Sequence, residues 1–483
     1  MNDRATAPAV AAAATDRVRT SRRSRVTALI VACALFMQNL DSTVISTALP
    51  TIARAFGAEP VHMNVALTAY LLSLAVFIPA SGWIADRFGA KHVFRLAIVV
   101  FTIGSVLCGQ SDSLGQLVAA RAFQGLGGAM MVPVGRLVLL RTVPKNELVA
   151  AMAWLSTPAL LGPVLGPPIG GFIVEYFSWR AIFDVNIPMG ILGVILVTLF
   201  VDDVREPSRN PFDWIGFVLS GLALSSLMFG FETLGRGIFP QWVSQVALAA
   251  GVVAGGLYWV HARRAVAPLI DFTLLKYRTF LVAICGGTLF RIGIGAIPFL
   301  LPMMLQLTFG KSAAESGLIT FASSLGALAM KPAATGALRA IGFRDTLLAN
   351  CAISATLLGM VAFFQPGWPV ALIYVILLAG GFFRSLQFTA YNALAYADIP
   401  RERMSSATGF YATVQQVSMT LGVSIGAASL TVTMALSGAH EPRLADFATA
   451  FLVVAAMSMA SLPVSLLLPR DAARELSGHP GRG

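Results

Sequence analysis

Long apolar stretches separated by short polar ones run through the chain from about residue 27 to residue 469. A helix that crosses a bilayer needs roughly 20 apolar residues. Fourteen stretches reach about that length, at 27–49, 63–85, 93–110, 115–140, 149–175, 181–201, 212–234, 241–261, 280–306, 314–338, 344–364, 369–394, 404–434 and 446–469. Strands fit poorly, because the runs are too long and an open sheet edge in lipid leaves backbone groups unpaired. The first run is also too long for a signal-peptide core, so it reads as an uncleaved first span.

The polar segments set the orientation. With fourteen spans, both termini share a side. That side holds the Arg-rich stretch Arg4 to Arg25, alternate loops and the C-terminal tail. Of the 34 Lys and Arg, about 24 fall on this side, about 5 on the other and about 5 within spans, which places both ends in the cytoplasm. The expected location is a bacterial inner (plasma) membrane, crossed many times.

Composition agrees. Charged residues make up 12% of the chain, about half the roughly 25% of a soluble domain, so much of the surface must face lipid. The net charge of +11 sits in short inter-span clusters, which argues against nucleic acid as a partner. Cys33, Cys108, Cys285 and Cys351 all lie in apolar runs, and the five histidines form no cluster. Neither a metal site nor a disulfide framework is expected. No nucleophile–base arrangement marks an enzyme, and no cofactor is expected beyond a proton gradient.

Two internal matches point to duplication. Ser81-Gly82-Trp83-Ile84-Ala85-Asp86-Arg87-Phe88-Gly89 resembles Thr335-Gly336-Ala337-Leu338-Arg339-Ala340-Ile341-Gly342 with one residue lost, and Pro144, Gly166 and Gly170 match Pro400, Gly422 and Gly426. Six helices account for each half, and two more lie between them. The expected organisation is all-α, fourteen transmembrane helices arranged 6 + 2 + 6. It comprises a disordered cytoplasmic tail (1–25), an N-terminal six-helix bundle (26–201), a linker with two extra helices (202–278), a C-terminal six-helix bundle (279–470) and a cytoplasmic tail (471–483).

Several residues carry candidate chemistry. Asp41 lies in the first span, which is read as ending at Pro50, and so sits roughly 12 Å from the outer end. A carboxylate at that depth is costly unless paired or protonated. Arg121 in the fourth span lies at a similar depth, and the two form a candidate proton-coupling pair; the competing role is a fixed structural ion pair. Gly162, Pro163, Gly166, Pro167, Gly170 and Gly171 of the fifth span form a bare, proline-bent face suited to a hinge, with close packing as the alternative. Gly82, Asp86, Arg87, Gly89 and Lys91, after the second span, read as a gate latch acting on neighbouring helix ends.

These four elements, in this order and on these spans, resemble the motifs of the major facilitator superfamily, and in particular its fourteen-span drug:proton antiporters. The resemblance covers roughly residues 26–470. It implies the major facilitator fold, proton-coupled efflux of drugs or toxic compounds by alternating access, and a central cavity between two halves. It also implies the corresponding roles for Asp41, Arg121, Asp86 and the glycines of the fifth span. The second-half loop departs from the family's pattern, since Arg339 or Ala340 stands opposite Asp86.

The second half has its own signature. Arg291, Arg384 and Lys331 lie within spans, accompanied by Gln306, Gln387, Gln415 and Gln416 and by no deep acid. Arg291, Arg384, Gln124, Gln387 and Gln415 are therefore candidate substrate-binding residues. An anionic or zwitterionic cargo is one reading; cations that snorkel or bind helix-end carbonyls are the other. Gly310-Lys311-Ser312 lacks the upstream glycine of a phosphate loop, since position 305 is leucine. The expected function is export of small molecules by proton antiport. An organic-anion or metabolite exporter is the first rival, and a non-transporting membrane sensor the second. The small outer loops leave room for an outer adaptor protein.

Overall fold

The computed structural model describes residues 6–57, 64–202, 211–233, 240–438 and 442–477. It is all-helical, with no strand among the described residues. In chain order the helices are α1 (Thr6–Phe56), α2 (Asn64–Phe77), α3 (Ser81–Phe88), α4 (Ala90–Gly109), α5 (Leu114–Thr142), α6 (Leu148–Tyr176), α7 (Ala181–Asp184), α8 (Asn186–Phe200), α9 (Trp214–Thr233), α10 (Gln241–Ala262), α11 (Arg278–Leu307), α12 (Ala313–Ala329), α13 (Ala334–Ile341), α14 (Phe343–Met360), α15 (Val370–Leu394), α16 (Met404–Ser437), α17 (Leu444–Met459), α18 (Ser461–Ser465) and α19 (Arg474–Ser477).

Among the described residues, 12 helical segments are long and apolar enough to cross a membrane. The expected stretches at 149–175 and 314–338 are not among these 12. The first lies in α6, whose middle includes side chains outside the described set; the second carries Glu315 and Lys331 and breaks after Ala329.

Two boundaries differ from the sequence reading. Helix α1 begins at Thr6, so the stretch expected to be disordered is helical from there on. Alanines at positions 7, 9 and 11–14 give it high helix propensity. The same helix continues past position 50 to Phe56, a tolerance for proline that membrane helices show more than soluble ones.

The duplication is visible in the backbone, in a corrected register. Ile78–Ala80 and Lys331–Ala333 are both 3-10 turns, each followed by an eight-residue helix, α3 and α13. These end at Gly89 (φ 87°) and Gly342 (φ 84°), a left-handed conformation that favours glycine. No residue is lost between the copies, and Arg339 stands opposite Asp86. Likewise Pro144 and Pro400 each cap a three-residue 3-10 turn that leads into α6 and α16.

Small residues set the helix crossings, because packing in lipid rewards close approach. A Cβ on Gly125 would come within 2.6 Å of Ser73 on α2, and one on Gly127 within 2.5 Å of the Phe101 backbone on α4. Helix α6 lies on α1 in the same way: a Cβ on Gly162 would reach Asn39 at 2.7 Å, and one on Gly166 would overlap Thr43. In the second half, a Cβ on Gly422 of α16 would lie 3.0 Å from the Gly295 Cα of α11. Helices α9 and α10 pack on one another, and α9 also touches both α2 and α16. The rejected phosphate-loop lookalike is a helix start: Ser312 caps α12 in a capping box with Glu315.

The apolar cores are distributed unevenly. At the end that carries Asp86, one continuous core includes Ala28, Phe94 and Leu137 from the first half and Phe280, Leu338 and Tyr411 from the second. A smaller cluster there joins Ala153 of α6 to Met330, Ala334 and Leu386. At the opposite end each half has its own core, one around Val44, Leu117 and Phe183 and the other around Leu300, Phe364 and Phe447.

Candidate functional site

Asp41 and Arg121 meet inside the first half. Arg121 Nη1 donates to Asp41 Oδ2 at 2.6 Å, with both side chains almost fully buried. The glycine crossings of α5 on α2 and α4 bring Arg121 to this depth. Asp41 Oδ1 accepts from Gln124 Nε2 at 3.0 Å and from Asn186 Nδ2 at 2.9 Å. Ser105 Oγ receives bonds from the same two amides, at 2.6 and 2.9 Å. The Tyr70 ring lies 4.3 Å from the Arg121 guanidinium carbon.

The carboxylate on α1 thus holds one cation and two neutral donors, drawn from α5 and α8. A proton arriving at Asp41 would break the charge-assisted bond to Arg121 and leave that guanidinium buried without its counterion. A narrow gap lined by Val44, Ile169, Ile173 and Ile182, too small to hold water, adjoins Asp41 between α1, α6 and α7.

Gln124, a substrate-binding candidate, lies in this network and is fully buried. Gln387 is also fully buried; its amide accepts from Asn350 at 2.8 Å and donates to the Leu347 carbonyl at 3.2 Å, which leaves it committed to helix packing.

The latch residues lie at the shared-core end. Asp86 accepts from Arg141 at 2.7 Å on one oxygen and from the Ser405 hydroxyl on the other. The first bond stays within the first half; the second crosses to α16. Gly82 allows that crossing, since a Cβ there would lie 2.6 Å from the Ser405 carbonyl oxygen. Lys91 donates to the Thr198 carbonyl at the C-terminal end of α8, at 3.0 Å, and Arg87 is exposed. Beside them, Lys145 pairs with Glu475 at 2.8 Å on the surface.

The hinge candidates divide. Gly162, Gly166 and Gly170 are buried, whereas Gly171 is exposed with open space around it and is not part of the bare face. Thr43 bridges to the Gly162 carbonyl at 3.3 Å. The side chains of Pro163 and Pro167 lie outside the described residues.

A second polar cluster spans the two halves. Arg136 of α5 donates to Tyr396 at 3.4 Å and to Gln415 at 3.1 Å. Arg291 of α11 donates to the Tyr411 hydroxyl. Tyr411 stands beside both guanidiniums, with its ring centroid 4.6 Å from the Arg291 carbon and 5.2 Å from that of Arg136. Arg384 donates to Ser323, and Lys331 is buried with no hydrogen-bond partner for its amine among the described residues.

Sequence reasoning missed Ser105, Asn186, Tyr70, Arg141, Ser405 and Arg136. Only Arg136 carried a signal of its own, as an arginine within the last turns of an apolar span.

A two-fold repeated helical body with a buried Asp–Arg pair in one half defines a polytopic membrane transporter. The chain belongs to the Major Facilitator Superfamily, whose family model matches residues 31–423 and 283–481. It is 39% identical over 402 residues to the "Putative multidrug resistance protein MdtD" of Serratia proteamaculans, covering 82% of this chain and 83% of that one. The protein of the same name from Escherichia coli K12 is 39% identical over 398 residues, covering 82% and 84%. Among solved structures, the human organic anion transporter MFSD10 superposes with a TM-score of 0.65 at 14% identity, covering 92% of this chain and 99% of that one. The proton:xylose symporter XylE superposes with a TM-score of 0.64 at 14% identity, covering 92% and 95%.

Proposed function

We propose that the chain exports small molecules, drugs or toxic compounds among them, across the bacterial inner membrane in exchange for protons, and that Asp41 and Arg121 couple the two fluxes. The observation that carries this reading is the buried Asp41–Arg121 bond, with Gln124 and Asn186 completing the carboxylate's partners. The energy source is the proton gradient, with no cofactor.

Alternating access supplies the cycle. The shared core at the Asp86 end and the separate cores at the other fit a state closed towards the termini and open on the far side. In this reading the termini are cytoplasmic, as the Lys and Arg distribution favours. A proton entering from outside neutralises Asp41, frees Arg121 and favours opening of the cytoplasmic end. Cargo loading and proton release restore the closed form.

The fourteen-span, 6 + 2 + 6 arrangement belongs to this proposal. Helix α6 has 29 residues, and α12 with α13 repeats the broken form of α2 with α3; both complete the two six-helix bundles. Helices α9 and α10 flank them as the inserted pair. An outer adaptor protein is compatible with the short outer loops.

The test uses everted membrane vesicles with an imposed pH gradient and a panel of cationic and anionic compounds. Some compound should dissipate the gradient through the wild type and none through Asp41→Asn. Equal proton movement through both forms would make Asp41 structural.

A further inference from the structure

We propose that Arg136 and Arg291 form a bridging anion site between the two halves, and that the exporter's cargo includes small dianions that bind there through two carboxylates or a phosphate. The inference deepens the export reading and rests on it for the direction of transport.

The argument starts from charge. Arg136 and Arg291 are 5% and 1% exposed, and among the described residues no carboxylate bonds to either. Their partners are neutral: the hydroxyls of Tyr396 and Tyr411 and the amide oxygen of Gln415. Arg136 Nε and Arg291 Nε and Nη1 are buried with no hydrogen-bond partner among the described residues. Buried guanidiniums are normally satisfied by acids or carbonyls. Here two of them flank one tyrosine ring with donors left over. Each offers a planar fork that matches a carboxylate or phosphate in bidentate geometry.

Position makes the pair more than a local curiosity. Arg136 belongs to α5 in the first half and Arg291 to α11 in the second. Like charges on opposite halves disfavour closure of this end. An anion seated between them reverses the sign of that interaction and draws the halves together. Cargo entering from the cytoplasm would therefore help shut the end through which it came, which is the order of events that export requires. Half-buried Gln415 marks the side from which a ligand can reach the pair.

The experiment measures thermal stability of the purified full chain in detergent. The probes are succinate and phthalate as dianions, acetate as a monoanion, ethidium as a cation, and chloride at matched ionic strength. Succinate or phthalate should raise Tm saturably in the wild type. The shift should vanish in Arg136→Gln and in Arg291→Gln and persist in Asp41→Asn. If a glutamine variant does not fold, Arg136→Lys and Arg291→Lys decide. Lysine keeps the charge but loses the fork, so dianion affinity should fall about ten-fold with the unliganded Tm near wild type. An equal shift with chloride, no dianion shift, a shift retained in both glutamine variants, or undiminished affinity in both lysine variants would overturn the site. Its failure would leave Asp41-dependent proton flux untouched, and loss of that flux with the dianion shift intact would instead remove the antiport reading.

Discussion

Asp41 is held by Arg121, Gln124 and Asn186, so substitutions around it separate structural from coupling roles. Arg121→Gln leaves a buried carboxylate without its cation, a loss of about 3–5 kcal/mol for a broken buried pair. A marked fall in Tm is expected on heating the purified protein. Asn186→Ala removes one neutral donor and keeps the ion pair, a loss of about 1 kcal/mol. That variant should fold and keep the Asp41–Arg121 bond, with only a small fall in Tm. A fall as large as that of Arg121→Gln would show that Asn186 does more than supply one neutral bond. The Asp–Arg pairing was legible in the sequence because two ionisable residues lay at matching depth in apolar runs. Asn186 and Ser105 were not, since an amide and a hydroxyl near span ends leave no distinctive pattern. The same limit applies to Gln124 and Gln387, whose partners depend on which face of the helix is buried.

At the level of helices, glycine is what lets α6 lie against α1. Gly166→Leu would force a branched side chain into the space of Thr43, with a cost of about 1–3 kcal/mol or more from overpacking. Gly171→Leu, on the open side, should be nearly neutral. The two variants are compared by expression level and Tm, and equal behaviour would contradict the packing account. The sequence reading grouped Gly171 with the others, although a step of one residue turns it about 100° off the face that Gly162, Gly166 and Gly170 share. The loop before α11 carries another element-scale device. Asp271 accepts from Thr273 and Arg403, tying that loop to the start of α16. Burial raises its pKa, but the bonds from Thr273 and Arg403 outweigh that effect and hold the carboxyl below its ordinary value. A depressed carboxylate contributes stability above its unfolded pKa, and that contribution is lost as pH falls through the folded one. Asp271→Asn should therefore lower Tm slightly at neutral pH and converge with wild type below the ordinary carboxylate range.

For the molecule as a whole, the apolar pattern was enough to read an all-helical membrane body, two internal matches gave its duplicated halves, and the resemblance of four motifs gave its family. The register of the repeat was read one residue out, because alignment by residue type favoured Gly336 against Gly82. The backbone instead aligns Gly342 with Gly89, where positive φ is required. What the chain could not disclose was which end of the body is closed, since that depends on contacts between halves far apart in sequence, such as Asp86 with Ser405 and Arg136 with Gln415. Those contacts make the central claim measurable. Spin labels at Phe88→Cys and Arg401→Cys, in a cysteine-free background, report the separation of the halves at the Asp86 end by pulsed electron resonance. Lowering the pH should shift the population from short to long distances in the wild type, whereas Asp41→Asn, which mimics the protonated carboxyl, should give the long distances at every pH. A distance distribution indifferent to pH, or identical in the two proteins, would contradict coupling of Asp41 protonation to opening of the molecule.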